Sequence, residues 1–158
     1  MNLTHINSNG KAEMVYVSHK NKTIRTAKAR GEVVVSSEVF NAIKDNQLKK
    51  GDVLTVAKIA GITGAKKTSE LIPLCHNIFI SKLDVNLSLG TNNNVIIESY
   101  AKTEGETGIE MEALTAVNIA ALTVYDMCKA IDKSMKIMNI QLVEKTGGKS
   151  GNYSIEAN

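Results

Sequence analysis

The sequence predicts an α+β domain in which helices pack on one face of a mainly antiparallel sheet. Three observations indicate this fold class: a β-prone stretch near the N-terminus, two strands joined by a polar turn, and a long apolar helix followed by another strand. Antiparallel sheets commonly bury one face beneath helices and leave the other to solvent. With 158 residues the chain can bury a substantial core, so we expect a single domain over residues 1–158.

Alternating polarity sets the predicted strands. Leu83, Val85 and Leu87 alternate with polar residues, which is the period-two pattern of a half-buried strand. The polar turn at residues 90–94 then reverses the chain and predicts a hairpin with the strand that follows. The predicted strands are residues 23–36, 78–89, 95–103 and 137–144.

Capping residues and helix breakers set the predicted helices. Ser36 or Ser37 can cap the first helix and Asp52 the second, because these side chains accept backbone N–H groups. Gly61 and Gly64 are expected to interrupt the second helix, and the single proline of the chain ends the third. The predicted helices are residues 38–46, 53–60, 65–72 and 110–132.

The two ends of the chain show weaker signals. Residues 1–10 have the character of a loose leader, and residues 146–158 form a tail rich in Gly and Ser. We therefore expect residues 1–10 and 150–158 to be flexible. Residues 13–18 fit either a short strand or an irregular arm.

Composition argues against several classes of protein. A net charge of only +3, with no Trp, two Phe and four Tyr, argues against a nucleic-acid-binding surface. The sequence has no apolar run long enough to span a membrane, and its first residues lack the pattern of a secretory signal. Cys75 and Cys128 are far apart and form no metal-binding motif. We therefore expect a cytoplasmic protein with reduced thiols and no metal ligands.

Asp126 and Lys129 are charged residues in an otherwise small and apolar helix. Residues three apart share a helix face, and charges in a partly buried setting are normally paired. A recessed carboxylate beside an ammonium group can exchange protons with a substrate. The alternative interpretation is an ordinary ion pair on a solvated helix face.

The polar residues of this helix are expected to form one stripe. Glu112 and Asp126 are fourteen residues apart, almost four whole turns, and therefore point in similar directions. Apolar residues within the stripe, such as Leu122, indicate a covered surface rather than open water. The predicted stripe contains Glu112, Thr115, Asn118, Thr123, Tyr125, Asp126 and Lys129.

Several further residues have two interpretations each. The lysines beside Gly51 and around Gly147 suit a phosphate ligand, or are ordinary surface lysines. His76, held by a proline-stiffened turn, fits either proton transfer or a hydrogen bond to a backbone carbonyl. Cys75 fits a nucleophile or a small buried thiol, and Arg25 fits an anion contact or an exposed strand position.

Most of these residues lie within seven segments that occur in a characteristic order. The segments are residues 3–6, 50–52, 59–62, 72–76, 107–115 (TGIEMEALT), 121–129 (ALTVYDMCK) and 145–151 (KTGGKSG). Together they resemble the molybdenum-cofactor biosynthesis protein C family, the cyclic pyranopterin monophosphate synthases, over nearly the whole chain. The resemblance implies a ferredoxin-like fold and a homohexamer, a trimer of dimers, with pockets at subunit contacts.

The resemblance also implies the reaction. A separate radical enzyme converts GTP to a cyclic intermediate, 3′,8-cyclo-7,8-dihydro-GTP. Family members then act as lyases that convert this intermediate to cyclic pyranopterin monophosphate and release pyrophosphate, in molybdenum cofactor biosynthesis. No cofactor is implied, and whether a divalent ion accompanies the pyrophosphate stays open.

The family's functional residues can be placed on this chain by their motifs. The resemblance implies that lysines bind the triphosphate and that an Asp–Lys pair transfers protons, with the pKa of one lysine lowered by neighbouring cations. The implied catalytic residues are Asp126, Lys129 and Lys50. The implied substrate-binding residues are Leu74, Cys75, His76, Met111, Glu112, Glu110, Lys145 and Arg25.

Two other classes of function remain compatible with the residues. A nucleotide- or RNA-binding module without chemistry would use the lysines but would need neither Glu112 nor the pair of Asp126 and Lys129. A structural oligomer would use the polar stripe only to fix the register of a helix contact. An assay for released pyrophosphate separates the lyase from both.

Overall fold

The computed structural model describes residues 3–157 and contains a five-stranded antiparallel sheet with helices packed on one face. The strands are β1 (Thr23–Val34), β2 (Lys82–Leu89), β3 (Asn94–Gly105), β4 (Lys136–Thr146) and β5 (Tyr153–Ser154). The helices are α1 (Ser37–Lys44), α2 (Val53–Ala65), α3 (Thr68–Leu71) and α4 (Glu110–Cys128), and a 3-10 turn covers Ile155–Ala157.

The order of the strands identifies the topology. β1 lies at the centre of the sheet between β3 and β4, and β2 and β5 form the edges. From β1 to β4 the chain follows the β-α-β-β-α-β arrangement of ferredoxin-like folds, with α1 to α3 in the first connection and α4 in the second. The predicted α+β class, with a mainly antiparallel sheet, is confirmed.

The central strand shows why the sheet has one covered face. Ala27, Ala29 and Val33 of β1 are buried beneath α4, whereas Lys28 and Arg30 between them are exposed on the opposite face. The small residues of β1 let α4 lie close to the sheet. Each fully buried aliphatic side chain of this core, such as Val33, contributes about 1.5–3 kcal/mol relative to exposure.

The predicted helix caps are confirmed. Ser36 caps α1, because its Oγ accepts the backbone N–H of Val39 at 3.2 Å. Asp52 caps α2, because its Oδ1 accepts the backbone N–H of Thr55 at 3.2 Å. Both caps satisfy N–H groups that have no partner inside the helix.

The prediction that Gly61 and Gly64 interrupt the second helix is wrong, since α2 continues to Ala65. The two glycines instead allow α2 to approach α4 closely. A Cβ on Gly61 would lie 2.8 Å from the carbonyl oxygen of Ala116, and one on Gly64 would lie 2.6 Å from Cγ1 of Ile119. Packing against a neighbouring helix therefore outweighs the low helix propensity of glycine.

The largest remaining differences from the predicted boundaries are in three elements. β2 begins at Lys82 instead of residue 78, and α3 is a single turn. α4 ends at Cys128, four residues earlier than predicted. A local turn follows, in which Asp132 Oδ1 accepts the backbone N–H of Ser134 at 2.8 Å.

Residues 3–22 form an irregular arm before the sheet, which we call the N-terminal arm. Ile6 pairs with Ala12 in an isolated bridge, and residues 13–18 run as an irregular segment, the second of the two predicted alternatives. At the other end β5 pairs with β4 inside the tail. The expected flexibility of both ends stays a prediction, and residues 1, 2 and 158 lie outside the described residues.

Candidate active site

The residues singled out in the sequence fall into two groups at opposite ends of α4. Glu112 and Asp126 are fourteen residues apart, a distance of about 21 Å along a helix. We call the group near the start of α4 the inner cluster and the group near its end the outer cluster. The inner cluster is Arg25, Leu74, Cys75, His76, Glu110, Met111, Glu112 and Lys145. The outer cluster is Lys50, Asp126 and Lys129.

Burial divides the predicted polar stripe along α4 into a covered start and an exposed end. Glu112 is 3% exposed and Thr115 is also buried. The side chain of Asp126, in contrast, is 54% exposed, and Lys129 is similarly open to solvent. The positions on the helix wheel give the directions of the side chains, whereas the packing of the rest of the chain decides that Glu112 is buried and Asp126 is exposed.

The outer cluster is a carboxylate held between two lysines. Lys50 Nζ lies 2.9 Å from Oδ2 of Asp126, and Lys129 Nζ lies 2.9 Å from Oδ1. Lys50 also donates to the backbone carbonyl of Asp126 at 3.3 Å. Each carboxylate oxygen thus has its own ammonium partner, and Lys50 is positioned by the loop between α1 and α2.

Protonation in the outer cluster follows from these contacts. The hydrogen bonds and charges of Lys129 and Lys50 lower the pKa of Asp126 to about 2. In return Asp126 raises the pKa of Lys129 above its usual value of 10.5. The expectation of a recessed pair is wrong for the single chain. The resemblance implied a lowered pKa for one lysine without naming it, and Lys129 is not that lysine in this chain.

The outer cluster opens onto a positively charged cleft. The cleft has a volume of about 620 Å³, and four lysines surround its one carboxylate, Asp126. A cleft with this excess of positive charge suits a polyphosphate group. The lining residues are Gln47, Leu48, Lys49, Lys50, Asp126, Met127, Lys129, Ala130, Ile131 and Lys133.

The inner cluster contains an ion pair formed by two elements that are far apart in sequence. Lys145 Nζ of β4 lies 2.7 Å from Oε1 of Glu110, and their side chains are 20% and 25% exposed. Lys145 also donates to Oγ of Ser150 at 3.3 Å, which connects the pair to the glycine-rich loop after β4. This pair is more shielded from water than those of the outer cluster, so its charges interact more strongly.

Glu112 is the buried carboxyl of the inner cluster. Its Oε2 has no hydrogen-bond partner among the described residues. Burial, together with the charge of Glu110, raises the pKa of Glu112 from 4.5 to about 7. A carboxyl with this pKa can change its charge near neutral pH.

Cys75 and His76 face the same small cavity as Glu112. The cavity has a volume of about 120 Å³. His5 of the N-terminal arm also lines it, although His5 is not among the predicted site residues. His76 Nε2 donates to the carbonyl oxygen of Val15 at 2.6 Å. This is the second of the two interpretations of His76, a hydrogen bond to a backbone carbonyl. Burial and the charge of Glu112 raise the pKa of the Cys75 thiol, which disfavours a nucleophilic thiolate.

Arg25 is buried, with 8% of its surface exposed, so the exposed alternative is wrong. Its Nε donates to the carbonyl oxygen of Gly105 at 3.1 Å, and its Nη2 donates to that of Glu106 at 3.3 Å. Gly147 and Gly148 both have positive φ, and a Cβ at Gly148 would collide with the guanidinium. Arg25 therefore joins the loops on either side of the inner cluster.

Two features are absent from the described residues, 3–157. The structure places no group of three or more His, Cys, Asp or Glu side chains where they could hold a metal ion. None of these residues belongs to a helix that is long and apolar enough to cross a bilayer.

Fold and site together define a ferredoxin-like α+β protein with a lysine-lined cleft suited to an anionic small molecule. The profile of the MoaC family matches residues 14–148. The chain is 55% identical over 157 residues, 99% of both chains, to proteins named cyclic pyranopterin monophosphate synthase from Peptoclostridium acidaminophilum and from a Thermoanaerobacter species. A protein of the same name from Bacillus thuringiensis is 52% identical over 96% of both chains. The chain therefore belongs to the MoaC family.

Proposed function

We propose that this chain is a cyclic pyranopterin monophosphate synthase. It converts the cyclic dihydro-GTP intermediate to cyclic pyranopterin monophosphate and releases pyrophosphate, as a lyase of molybdenum cofactor biosynthesis. The observation that carries the proposal is the carboxylate of Asp126 held between Lys50 and Lys129 in a cleft of lysines. The names of the relatives support the product.

The lysines of the outer cluster bind the triphosphate and stabilise the departing pyrophosphate. Ammonium groups neutralise the charge that develops on the leaving group, and they act most strongly where water is excluded. The four lysines of the cleft supply this charge without a metal ligand set. A divalent ion bound to the pyrophosphate would arrive with the substrate.

Triphosphate binding changes the state of Asp126. In the free chain both oxygens of this carboxylate are bound by lysines, which lowers its pKa to about 2 and makes it a poor base. When the triphosphate takes up Lys50, Asp126 loses one of its two partners and its pKa rises. Asp126 and Lys129 then form the acid–base pair that moves protons during ring opening and closure.

The complete site lies between two copies of the chain. Within one chain Glu112 and Asp126 are about 21 Å apart, too far for one nucleotide-derived ring to contact both. The half-exposed charges of the outer cluster and several exposed apolar side chains, including Phe79 at 81% and Leu122 at 56%, support a covering partner. We place the inner cluster of one copy against the outer cluster of another, within a homohexamer built as a trimer of dimers.

The remaining parts of the proposal concern the setting of the enzyme. It works in the cytoplasm, requires no cofactor, and receives its substrate from a separate radical enzyme. The substrate is a small molecule, and neither nucleic acid nor a membrane is a partner.

Release of pyrophosphate tests the reaction. The pure protein is incubated with 3′,8-cyclo-7,8-dihydro-GTP, and pyrophosphate and the pterin product are measured. Turnover is expected for the wild type and strongly reduced turnover for Asp126→Asn and Lys129→Ala. Binding of the intermediate without pyrophosphate release would instead favour a nucleotide-binding module.

Mixed assemblies test the shared site. Lys145→Ala removes part of the inner cluster and Lys129→Ala part of the outer cluster, so each variant alone is expected to have little activity. Copies unfolded and refolded together form mixed assemblies in which some sites combine an intact inner cluster with an intact outer cluster. Recovered turnover supports the shared site. Mixed assemblies that remain inactive, while mass spectrometry confirms mixing, show that the site lies within one chain.

A further inference from the structure

The chain that follows α4 folds back beside the helix and is held there by Tyr125. The hydroxyl of Tyr125 donates to the backbone carbonyl of Lys133 at 2.8 Å, across eight residues of the chain. Among the described residues, no other side chain of α4 forms a hydrogen bond with residues 130–135. We call residues 130–135 the wall segment, because they supply part of the lining of the lysine cleft.

The wall segment has a turn of its own. At its start, the backbone N–H of Ile131 donates to the carbonyl oxygen of Cys128 at 3.0 Å. Further along, Asp132 Oδ1 accepts the backbone N–H of Ser134 at 2.8 Å and the hydroxyl of Ser134 at 2.7 Å. These contacts fix the shape of the turn and the position of its start. The hydroxyl of Tyr125 fixes the position of its later half against α4.

The lysines of the cleft repel one another. Lys49 and Lys50 come from the loop between α1 and α2, Lys129 follows the end of α4, and Lys133 lies in the wall segment. Asp126 pairs with Lys50 and with Lys129. Lys133 forms no ion pair among the described residues, so repulsion from the other lysines favours its displacement into solvent. A contact that keeps Lys133 at the cleft therefore opposes this repulsion.

Resting on the proposed function, we propose that Tyr125 is a positioning residue that holds Lys133 where its ammonium group binds the triphosphate of the substrate. The ring of Tyr125 packs against the hydrophobic core, so its hydroxyl is a fixed point for the backbone of Lys133. An ammonium group that is already in place binds an anion more tightly, because little order has to be created on binding. Tyr125 acts through Lys133 and does not touch the substrate.

The size of the effect follows from the loss of one hydrogen bond to an exposed carbonyl. Such a bond shifts an equilibrium by a factor of about 2–10. Without it, the wall segment occupies the binding position for a smaller fraction of the time, and the apparent affinity falls by that fraction. We therefore expect Tyr125→Phe to raise KM about two- to fivefold. Its kcat should stay unchanged, because Asp126 and Lys129 keep their contact.

Hydrogen exchange measured by mass spectrometry tests the position of the wall segment without any ligand. Tyr125→Phe removes only the hydroxyl and should increase amide exchange within residues 130–135. Tyr100→Phe is the matched control, because Tyr100 lies in β3 opposite Lys28, on the open face of the sheet. Unchanged exchange in Tyr125→Phe overturns the inference. An increase that spreads through α4 and the sheet also overturns it, because it shows a general structural role.

A double-mutant cycle tests whether Tyr125 acts through Lys133. Inorganic tripolyphosphate is titrated calorimetrically into the wild type, Tyr125→Phe, Lys133→Ala and the double variant. Tyr125→Phe should weaken binding about two- to fivefold in the wild type and less than about 1.5-fold when Lys133 is already Ala. Equal losses in the two backgrounds assign the effect of the hydroxyl to another group and overturn the inference.

The proposed function and this inference fail in different ways. A protein that neither binds tripolyphosphate nor converts the cyclic intermediate contradicts the synthase assignment, and this inference falls with it. A wild type that converts the intermediate, together with a Tyr125→Phe variant of unchanged KM, keeps the assignment and removes this inference. A raised KM with an unchanged kcat supports both.

Discussion

The two ends of α4 compensate charge in different ways. At the inner end, the chain itself provides the partners: Lys145 pairs with Glu110 in a shielded position, and Arg25 is surrounded by backbone carbonyls. At the outer end, the side chains of Lys50 and Asp126 are about half exposed, so water also solvates their charges. The inner cluster is therefore part of the folded structure, whereas the outer cluster can exchange its partners for a ligand at low cost. Four experiments on variants separate these two behaviours.

The largest expected effect is on turnover at the outer end. Lys129→Ala removes one partner of Asp126 and one proton-transfer group, so turnover should fall by about two to four powers of ten. The melting temperature should stay unchanged, because Lys129 is exposed. Lys133→Ala is the matched control. Lys133 lines the same cleft, but the ion pairs of Asp126 are formed by Lys50 and Lys129. Equal losses for both variants would show that only the total charge of the cleft matters.

The next effect is on stability at the inner end. Arg25→Met leaves the carbonyl oxygens of Gly105 and Glu106 without a donor and should lower the free energy of unfolding by about 3 kcal/mol. Arg30→Met changes an exposed arginine of the same strand and should shift it by less than about 0.5 kcal/mol. Urea unfolding measures both values. A similar small shift for both variants would show that the hydrogen bonds of Arg25 do not stabilise the loops around the inner cluster.

A smaller effect compares the two lysine–carboxylate contacts directly. Lys145→Met leaves Glu110 unpaired beside Glu112 and should cost about 1–2 kcal/mol, between the values for exposed and buried pairs. Lys50→Met removes a contact of similar length in solvent and should produce no measurable change in urea unfolding. The contrast between the ends of α4 would be lost if Lys50→Met were as destabilising as Lys145→Met.

A further effect is the pH dependence of stability at Glu112. Its pKa is about 7 in the folded chain against 4.5 as the reference value, so the folded state binds more protons between these pH values. The stability that Glu112 confers is therefore present at low pH and is lost as pH rises through 7. Glu112→Gln carries no titrating group at this position, so its melting temperature relative to wild type should increase by about 5–10 °C between pH 5 and pH 8. A difference that does not vary with pH would mean that Glu112 is ionised throughout.

Much of the fold could be predicted because its signals are local. Alternation within β2, the polar turn after it and the caps at Ser36 and Asp52 each depend on a few neighbouring residues. Gly61 and Gly64 were misinterpreted because their effect depends on α4, which lies more than fifty residues further along the chain. Glycine can end a helix or allow another helix to pack closely against it, and only the packing of the folded chain distinguishes the two.

The candidate site shows the same division. The motifs identified the charged residues, but partners such as Lys50 and Asp126 are 76 residues apart and depend on the folded chain. The burial of Glu112 could not be predicted either. It results from the loop after α3 and from the N-terminal arm, and periodicity gives no information about the path of either segment. For the same reason no local pattern places His5 at the cavity, although His5 belongs to the segment 3–6 of the resemblance.

The contact between α2 and α4 has a consequence for the length of the chain. Gly61 and Gly64 lock against Ala116 and Ile119, so α4 cannot slide along its own axis without a collision. One residue inserted between this lock and Asp126 would rotate the carboxylate by about 100° and move it away from Lys50. We therefore expect that natural variation in this protein changes side chains along α4 but tolerates neither insertions nor deletions there.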